Sequence, residues 1–546
     1  MIPQNMLSTR VLIIGAGPVG LMSAISLDAA GIATVLVDRR LERLDAPRAH
    51  AVNPRTLEIC QRFGVPADAI RAAGADVRDG GQVHFVDVLG GTCFGSLPYE
   101  RQDDGARAFT PWPLVNIPQP RFEQFLGQRL AHCEHTALLR GLSAVRVDEV
   151  HDGVITTLDA GGLGEKLRIR SEYVIAADGA GSQTRDGLGI AMVGPEALQH
   201  YLMIHFQADL TSLTQAHPGL LYFCMAPAAR GVFIGYERAS NWVFMHAWNP
   251  AAQQRQDFTP EVCKRLVEAA AGARMDDFVL RNVSPWTMSA QVAEAYRAGR
   301  VFLAGDAAHR FPPTGGLGLN TGIADAHNLT WKLASVLRGV AHHTLLDTYD
   351  AERRPIAGIN SHQSVTNSAK LLHLFAALYG PDPAATETHY ASVLANPGAF
   401  PRLQDSVAMQ RPHFDSFNLQ LGYRYGVPVD PEDIDISHYV PAFAIGDYLP
   451  HVALSDGSWL VGKLPTDDFA LVTGPSARAW RNLPLPVFTE GIDFSPHPRT
   501  FFEQAGLDAD GALLVRPDGH ICARWQHAPA DPPAAVDGQR QQALGY

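Results

Sequence analysis

The chain has 546 residues, 46% of them hydrophobic, and a formal net charge of −12. Such a length admits two or three domains with large cores. The acidic balance argues against nucleic acid or an anionic membrane as a partner, so an anionic ligand has to be held by local N–H groups and a few arginines. The six cysteines are scattered with no CxxC, and the histidines form no HExxH, so neither a disulfide frame nor a metal site is expected. No basic-then-apolar leader opens the sequence and no apolar run reaches membrane-spanning length, so a cytoplasmic protein with no membrane partner is expected.

Val11-Leu12-Ile13-Ile14 reads as a buried parallel strand. It runs into Gly15-Ala16-Gly17-Pro18-Val19-Gly20. Gly15 lets the chain turn sharply, Gly17 lets a pyrophosphate approach the backbone, and Gly20 lets the next helix pack on the strand. That helix, through Leu21, Ala24, Ile25 and Leu27, aims free N–H groups at phosphates. A second strand, Ala33–Val37, ends at Asp38, about 20 residues past the glycines, where a carboxylate holds ribose hydroxyls. This motif specifies a dinucleotide without saying which.

Further along, Tyr173–Ala177 leads into Asp178-Gly179, with Ser182 and Arg185 close behind. Tyr201–Asp209, Leu220–Met225, Val232–Arg238 and Trp242–Trp248 read as strands of a mixed or antiparallel sheet that could floor a pocket. Tyr222, Tyr236, Trp242 and His246 on these strands are substrate-pocket candidates. Val301–Ala304 leads into Gly305-Asp306, and His309 through Asn320 forms a Gly/Pro-rich entry to a helix carrying Ile323, Ala326, Leu329, Leu333 and Leu337 at helical spacing. Open N–H groups at that helix start favour negative charge. A helical stretch is expected over Ile356–Leu378, followed by a loop region marked by Gly380-Pro381-Asp382-Pro383 and Asn396-Pro397-Gly398. Near the end, Gly511 through Gly519 reads as a strand entering a Pro-Asp-Gly turn.

The three motifs around Gly15, Asp178 and Gly305, in this order, resemble the FAD-dependent aromatic hydroxylases, the class A flavoprotein monooxygenases. Ala46 through Glu58, Asn116-Ile117-Pro118-Gln119 and Asp325 through Arg353 extend the resemblance, which is strongest to the phenol hydroxylase-like members such as 2,4-dichlorophenol 6-monooxygenase and 2-hydroxybiphenyl 3-monooxygenase. It implies noncovalent FAD, with NAD(P)H as transient reductant and O2 as co-substrate. It implies cofactor contacts from Arg48, Gln119, Asp178, Gly179, Gly305, Asp306, Pro313, Gly318, Leu319 and Asn320. It implies a Rossmann-like α/β FAD-binding domain (8–80, 120–190 and 290–355) interleaved with an α+β, sheet-based substrate domain (81–119 and 191–289). A helical and loop connector (356–439) and a thioredoxin-like C-terminal domain (440–546) complete it. With no CxxC, the tail's expected role is structural or dimerising, which admits a homodimer.

The implied reaction inserts one oxygen atom into a small phenolic ring through a flavin C4a-hydroperoxide. A phenolate attacks such a species better than a phenol, so a base is useful. By the resemblance that base is His50, and Asp209 is a second catalytic candidate that would orient it. Two other readings stay open: tailoring of a polycyclic aromatic polyketide on the same fold, and a non-oxygenase flavin oxidoreductase.

Overall fold

The computed structural model describes residues 6–43, 49–161 and 166–546. The strand Met6–Ile14 is the centre of an eight-stranded sheet, flanked in parallel by Thr34–Asp38 and Lys166–Ala176. Thr136–Arg140 extends the sheet beyond Thr34–Asp38, and Val301–Leu303 extends it beyond Lys166–Ala176, both in parallel. Alternation along the first strand decides what covers each side. Val11 and Ile13 pack with the helices Pro18–Ala29 and Leu317–Leu337, whereas Leu12 and Ile14 pack under the hairpin Ser143–Val150 and Gly153–Asp159.

A second, seven-stranded sheet runs in the order Val279–Met288, Gln199–Gln207, Asn241–Ala247, Gly231–Glu237, Leu221–Cys224, Gln82–Val86, Cys93–Pro98. It is antiparallel except where Leu221–Cys224 lies parallel to Gln82–Val86. Both faces are covered. One carries Val83, Phe85, Ile234, Tyr236, Val243 and Met245; the other carries Ile204, Phe206, Tyr222, Trp242 and Phe244 and packs on the helix Pro260–Ala271.

The helical stretch expected from Ile356 begins earlier, at Thr348, and runs to Tyr379 with Pro355 inside it. Proline forfeits one helical hydrogen bond near the start of a long helix, and packing outweighs that loss. The expected loop region after Gly380 holds two helices, Thr386–Leu394 and Phe400–Ala408. Their Tyr390, Val393, Leu403 and Val407 join Leu374 and Leu378 of the long helix over the first face of the second sheet. Turn residues marked the ends of these helices, not the absence of them.

Residues past 440 form a four-stranded sheet in the order Val487–Thr489, Ala470–Thr473, Ala512–Val515, Ile521–Trp525. Only the first two are parallel. This unit has its own core, but Phe469, Leu471 and Trp480 also pack with Trp331, Ala341 and Leu345. Arg516 bridges Glu352 and Asp518, and Glu352 also takes the buried Lys332 ammonium at 2.8 Å. The six cysteines are free, and among the described residues no helix is long and apolar enough to cross a membrane.

Candidate active site

The turn after Met6–Ile14 needs its glycines. Gly15 adopts φ 103°, and a Cβ there would lie 2.3 Å from the Ala177 carbonyl oxygen. A Cβ on Gly20 would lie 1.9 Å from the Gly15 carbonyl oxygen. Gly17 differs: nothing lies within 4 Å of where its Cβ would be, so the space in front of it is open. Gly17 caps a helix that has no side-chain cap, which leaves first-turn N–H groups for a ligand. Asp38 accepts from Ala16 N at 2.8 Å and Arg40 N at 2.7 Å, so it braces the turn. Gln119 donates to Glu123 at 2.7 Å, while its backbone N–H holds the Ala49 carbonyl at 2.9 Å. Arg48 lies outside the described residues.

Asp178 follows Lys166–Ala176. Its Oδ2 accepts from Thr184 N at 3.2 Å, but its buried Oδ1 has no partner among the described residues. A buried carboxylate oxygen left unpaired is costly, and a ligand hydroxyl would satisfy it. Gly179 beside it has φ 87° and open space at its Cβ position. Arg185 ties this loop to the next by donating to the carbonyls of Ala180 and Ala307. Gly305 has φ 61°, and its Cβ would lie 2.8 Å from Val19. Its N–H donates to Asp325 Oδ2 at 3.1 Å, an oxygen that also takes His309 Nε2 at 2.8 Å. Asp325 Oδ1 takes Arg353 Nε at 2.8 Å. Burial pulls the Asp325 carboxyl pKa up, but Arg353 and His309 outweigh it and hold the pKa below the usual carboxylate range. The Gly305-Asp306 loop is thus clamped from behind while Asp306 lies exposed on it. The sequence assigns Asp325 no role of its own, although an acid amid the apolar positions of a buried helix is a signal.

Gly315 (φ 94°) and Gly316 (φ 63°) turn the chain into Leu317–Leu337, again without a side-chain cap. Thr314 anchors this entry to the long helix by donating to the Ser364 carbonyl at 2.8 Å. Pro313 is exposed, Gly318 faces open space and Leu319 is half-buried. The Asn320 side chain is used inside the protein. It donates to the Ala51 and Gly316 carbonyls and accepts from Asn53 N and Thr56 Oγ1, all at 2.8–3.0 Å. Its work is to clamp the segment after His50 to the start of this helix.

His50 sits beside that clamp. Ala51–Val52 pairs with Val115–Asn116, and His50 Nδ1 lies 3.0 Å from Asn116 Oδ1. Its ring is 5.7 Å from Tyr99 and 6.1 Å from Tyr236. Burial lowers the His50 pKa, with the Asn116 bond working against it. Neither His50 Nε2 nor Tyr99 Oη has a hydrogen-bond partner among the described residues. Tyr99 Oη lies 3.4 Å from the Cβ position of Gly316, at the glycine turn. Tyr236 Oη is buried with no partner among the described residues. Tyr99 was not singled out from sequence, because no local pattern marks it.

The pleat separates the other pocket candidates from Tyr236. Tyr222, Trp242 and His246 lie on the opposite face of the second sheet from Tyr236. Tyr222 donates to the His217 carbonyl at 2.9 Å and Trp242 to the Arg238 carbonyl at 3.1 Å. Asp209 is exposed past the end of Gln199–Gln207, where it accepts from Thr211 N at 2.9 Å; the partner of His50 is Asn116. On that opposite face, ligand atoms of His84, Cys93 and His217 come within 4.8 Å of one another. Both His84 nitrogens are already engaged, by Ser96 Oγ at 2.7 Å and the Pro218 carbonyl at 3.0 Å.

Residues 8–364 match the family model described as an FAD binding domain. The chain belongs to this family and is an FAD-dependent aromatic hydroxylase. It is 33% identical to 4-methyl-5-nitrocatechol 5-monooxygenase of a Burkholderia species, with 96% of each chain covered. It is 30% identical to 2,4-dichlorophenol 6-monooxygenase of Cupriavidus pinatubonensis (99% and 97% covered) and 30% identical to an aklavinone 12-hydroxylase of Streptomyces purpurascens (98% of each). The crystal structure of the flavin-dependent monooxygenase PieE with FAD and substrate superposes with a TM-score of 0.90 at 28% identity, covering 99% of each chain. The geometry fits FAD: two uncapped helix starts, open space at Gly17, Gly179 and Gly318, and an unpaired carboxylate oxygen on Asp178.

Proposed function

We propose that this hydroxylase acts on a phenol and that His50 takes the phenolic proton. The observation that carries the reading is the half-buried imidazole with Nδ1 engaged by Asn116 and Nε2 without a hydrogen-bond partner among the described residues. Burial lowers its pKa, so the ring is neutral and able to accept a proton at neutral pH. FAD, when bound and reduced by NAD(P)H, supplies the activated oxygen from O2. The protein's share is to hold the ring beside His50, take its proton and keep water out with the apolar face that carries Ile234, Val243 and Met245. The cofactor is read as noncovalent. Gly15, Gly17 and Gly20 would admit its pyrophosphate, with Asp38, Asp178 and Asp306 toward its hydroxyls.

A polycyclic polyketide is the second reading, and the 30% identity to an aklavinone 12-hydroxylase favours it. The C-terminal unit is read as thioredoxin-like. What supports this is its strand order, with the second strand outside the first, those two parallel and the closing pair antiparallel. The test is a panel of simple phenols and polycyclic phenolic polyketides, followed by NAD(P)H oxidation and product mass. A simple phenol that speeds oxidation and gains one oxygen is the expected result. Turnover confined to the polycyclic compounds selects the second reading, and oxidation with no oxygen gained by any compound overturns both.

A further inference from the structure

Which nitrogen of His50 is left to accept a proton is set by a second residue. Asn116 is buried, and its amide orientation is set from the side away from the histidine. Its Nδ2 donates to the Gly80 carbonyl at 2.8 Å, so its Oδ1 is the atom turned toward His50 Nδ1 at 3.0 Å. An amide oxygen only accepts, so His50 Nδ1 must carry the hydrogen, and the lone pair falls on Nε2. The Gly80 carbonyl is itself pinned. It accepts a second hydrogen bond from Gln102 Nε2 at 3.0 Å, and that same nitrogen donates to the Tyr99 carbonyl at 2.7 Å. Gly80 has no room for a side chain, since a Cβ would lie 2.9 Å from the Ala75 Cβ. The backbone on both sides is tied down as well: Ala75 N donates to the Asn116 carbonyl and Ile117 N to the His50 carbonyl, each at 2.7 Å.

We infer that Asn116 is a positioning residue that locks His50 in its Nδ1–H tautomer, with Gly80 as the anchor of the lock. An amide there has a consequence a carboxylate would not. It orients the ring and favours imidazolium less than a carboxylate's charge would, so burial still holds the pKa below the ordinary imidazole value. The inference rests on the reading of His50 as the base.

The test uses the FAD-loaded full chain. Asn116→Leu removes the acceptor and frees the tautomer; kcat for hydroxylation should fall about 10-fold to 100-fold, a part of what general-base catalysis contributes, with FAD affinity and substrate KM held within about twofold. Asn116→Asp keeps an acceptor but adds charge. It should retain more activity than Asn116→Leu at neutral pH and move the acid limb of kcat/KM upward by about one pH unit, because a carboxylate favours the charged ring. A merely structural Asn116 predicts loss of FAD or of folding in both variants and no displaced limb. Full activity of Asn116→Leu, or an unmoved limb in Asn116→Asp, overturns the inference. His50→Ala run in parallel separates the two levels: if it too is fully active, the fault lies in the choice of base, and if it alone is impaired, the fault lies in the lock.

Discussion

The two faces of the second sheet carry similar residues and do different work. The face with Tyr236 meets His50, Tyr99 and the glycine turn at Gly316. The face with Tyr222 and Trp242 meets the helix Pro260–Ala271, and those two side chains spend their polar tips on backbone carbonyls. Aromatic content therefore marks neither face as functional. What separates Tyr222 from Tyr236 is whether the hydroxyl is satisfied by the protein or left for something else.

The sharpest way to break this comparison is to remove the group the first face surrounds. His50→Ala should keep FAD and be reduced at the normal rate, while hydroxylation falls about 10²–10⁴-fold. The oxygen still consumed should appear as H2O2. In the intact enzyme burial disfavours imidazolium, so the free base persists as pH falls through 6.5, the ordinary imidazole value, and the acid limb of kcat/KM should lie beneath it. A limb at or above that value, or a variant with normal coupling, would deny the first face its special status.

The second face should answer in stability. Trp242 is fully buried there, and Trp242→Ala should cost about 3–5 kcal/mol of folding free energy. Thermal denaturation reads the loss. At a temperature where the variant is still folded, coupling of oxidation to hydroxylation should be unchanged; a coupling defect in the folded variant would mean that the second face reaches the substrate after all.

Why the sequence exposed some of this and hid the rest follows from where each constraint acts. The Gly15–Gly20 turn was legible because every requirement is local: φ at Gly15, close packing at Gly20, open backbone at Gly17. The strands of the second sheet were legible as strands, but alternation alone does not tell which parity faces the site when both faces are buried. That is why Tyr222, Trp242 and His246 were grouped with Tyr236. Asn116 and Tyr99 acquire meaning only from pairings with residues far away in sequence, such as Gly80 with Asn116, or His50 with Asn116. Asp209 was a reasonable orienting partner by type, yet the register of Gln199–Gln207 carries the chain past the site before Asp209 is reached.

The first face is useful only if the cofactor is held opposite it. Asp306 is exposed on a loop that Asp325 clamps from behind. Asp306→Ala removes a charged acceptor, a loss of about 1.5–3 kcal/mol, or roughly a tenfold to hundredfold weaker FAD dissociation constant. Flavin fluorescence titration of the apoprotein measures it. An unchanged constant would place the FAD hydroxyls elsewhere and leave Asp178 as the carboxylate to examine.

The smallest effects draw the finest line, because one deletion of a phenolic oxygen can be made on each face. Tyr222 Oη donates to the His217 carbonyl at 2.9 Å, and Tyr222→Phe leaves that carbonyl without it. The expected cost is about 1 kcal/mol of stability with unchanged kinetics. Tyr236 Oη is buried with no partner among the described residues, so Tyr236→Phe removes a group whose burial is a cost. The variant should be as stable as the parent or slightly more so. If that hydroxyl meets the substrate beside His50, kcat/KM should nonetheless fall roughly threefold to tenfold, the worth of one neutral hydrogen bond. Stability and rate are then expected to move in opposite senses on the first face, and stability alone on the second. Paired denaturation and steady-state measurements on the two variants test this directly. A Tyr236→Phe enzyme that loses stability and keeps its rate would show that its hydroxyl is structural, and the division between the faces would shrink to His50 and Tyr99.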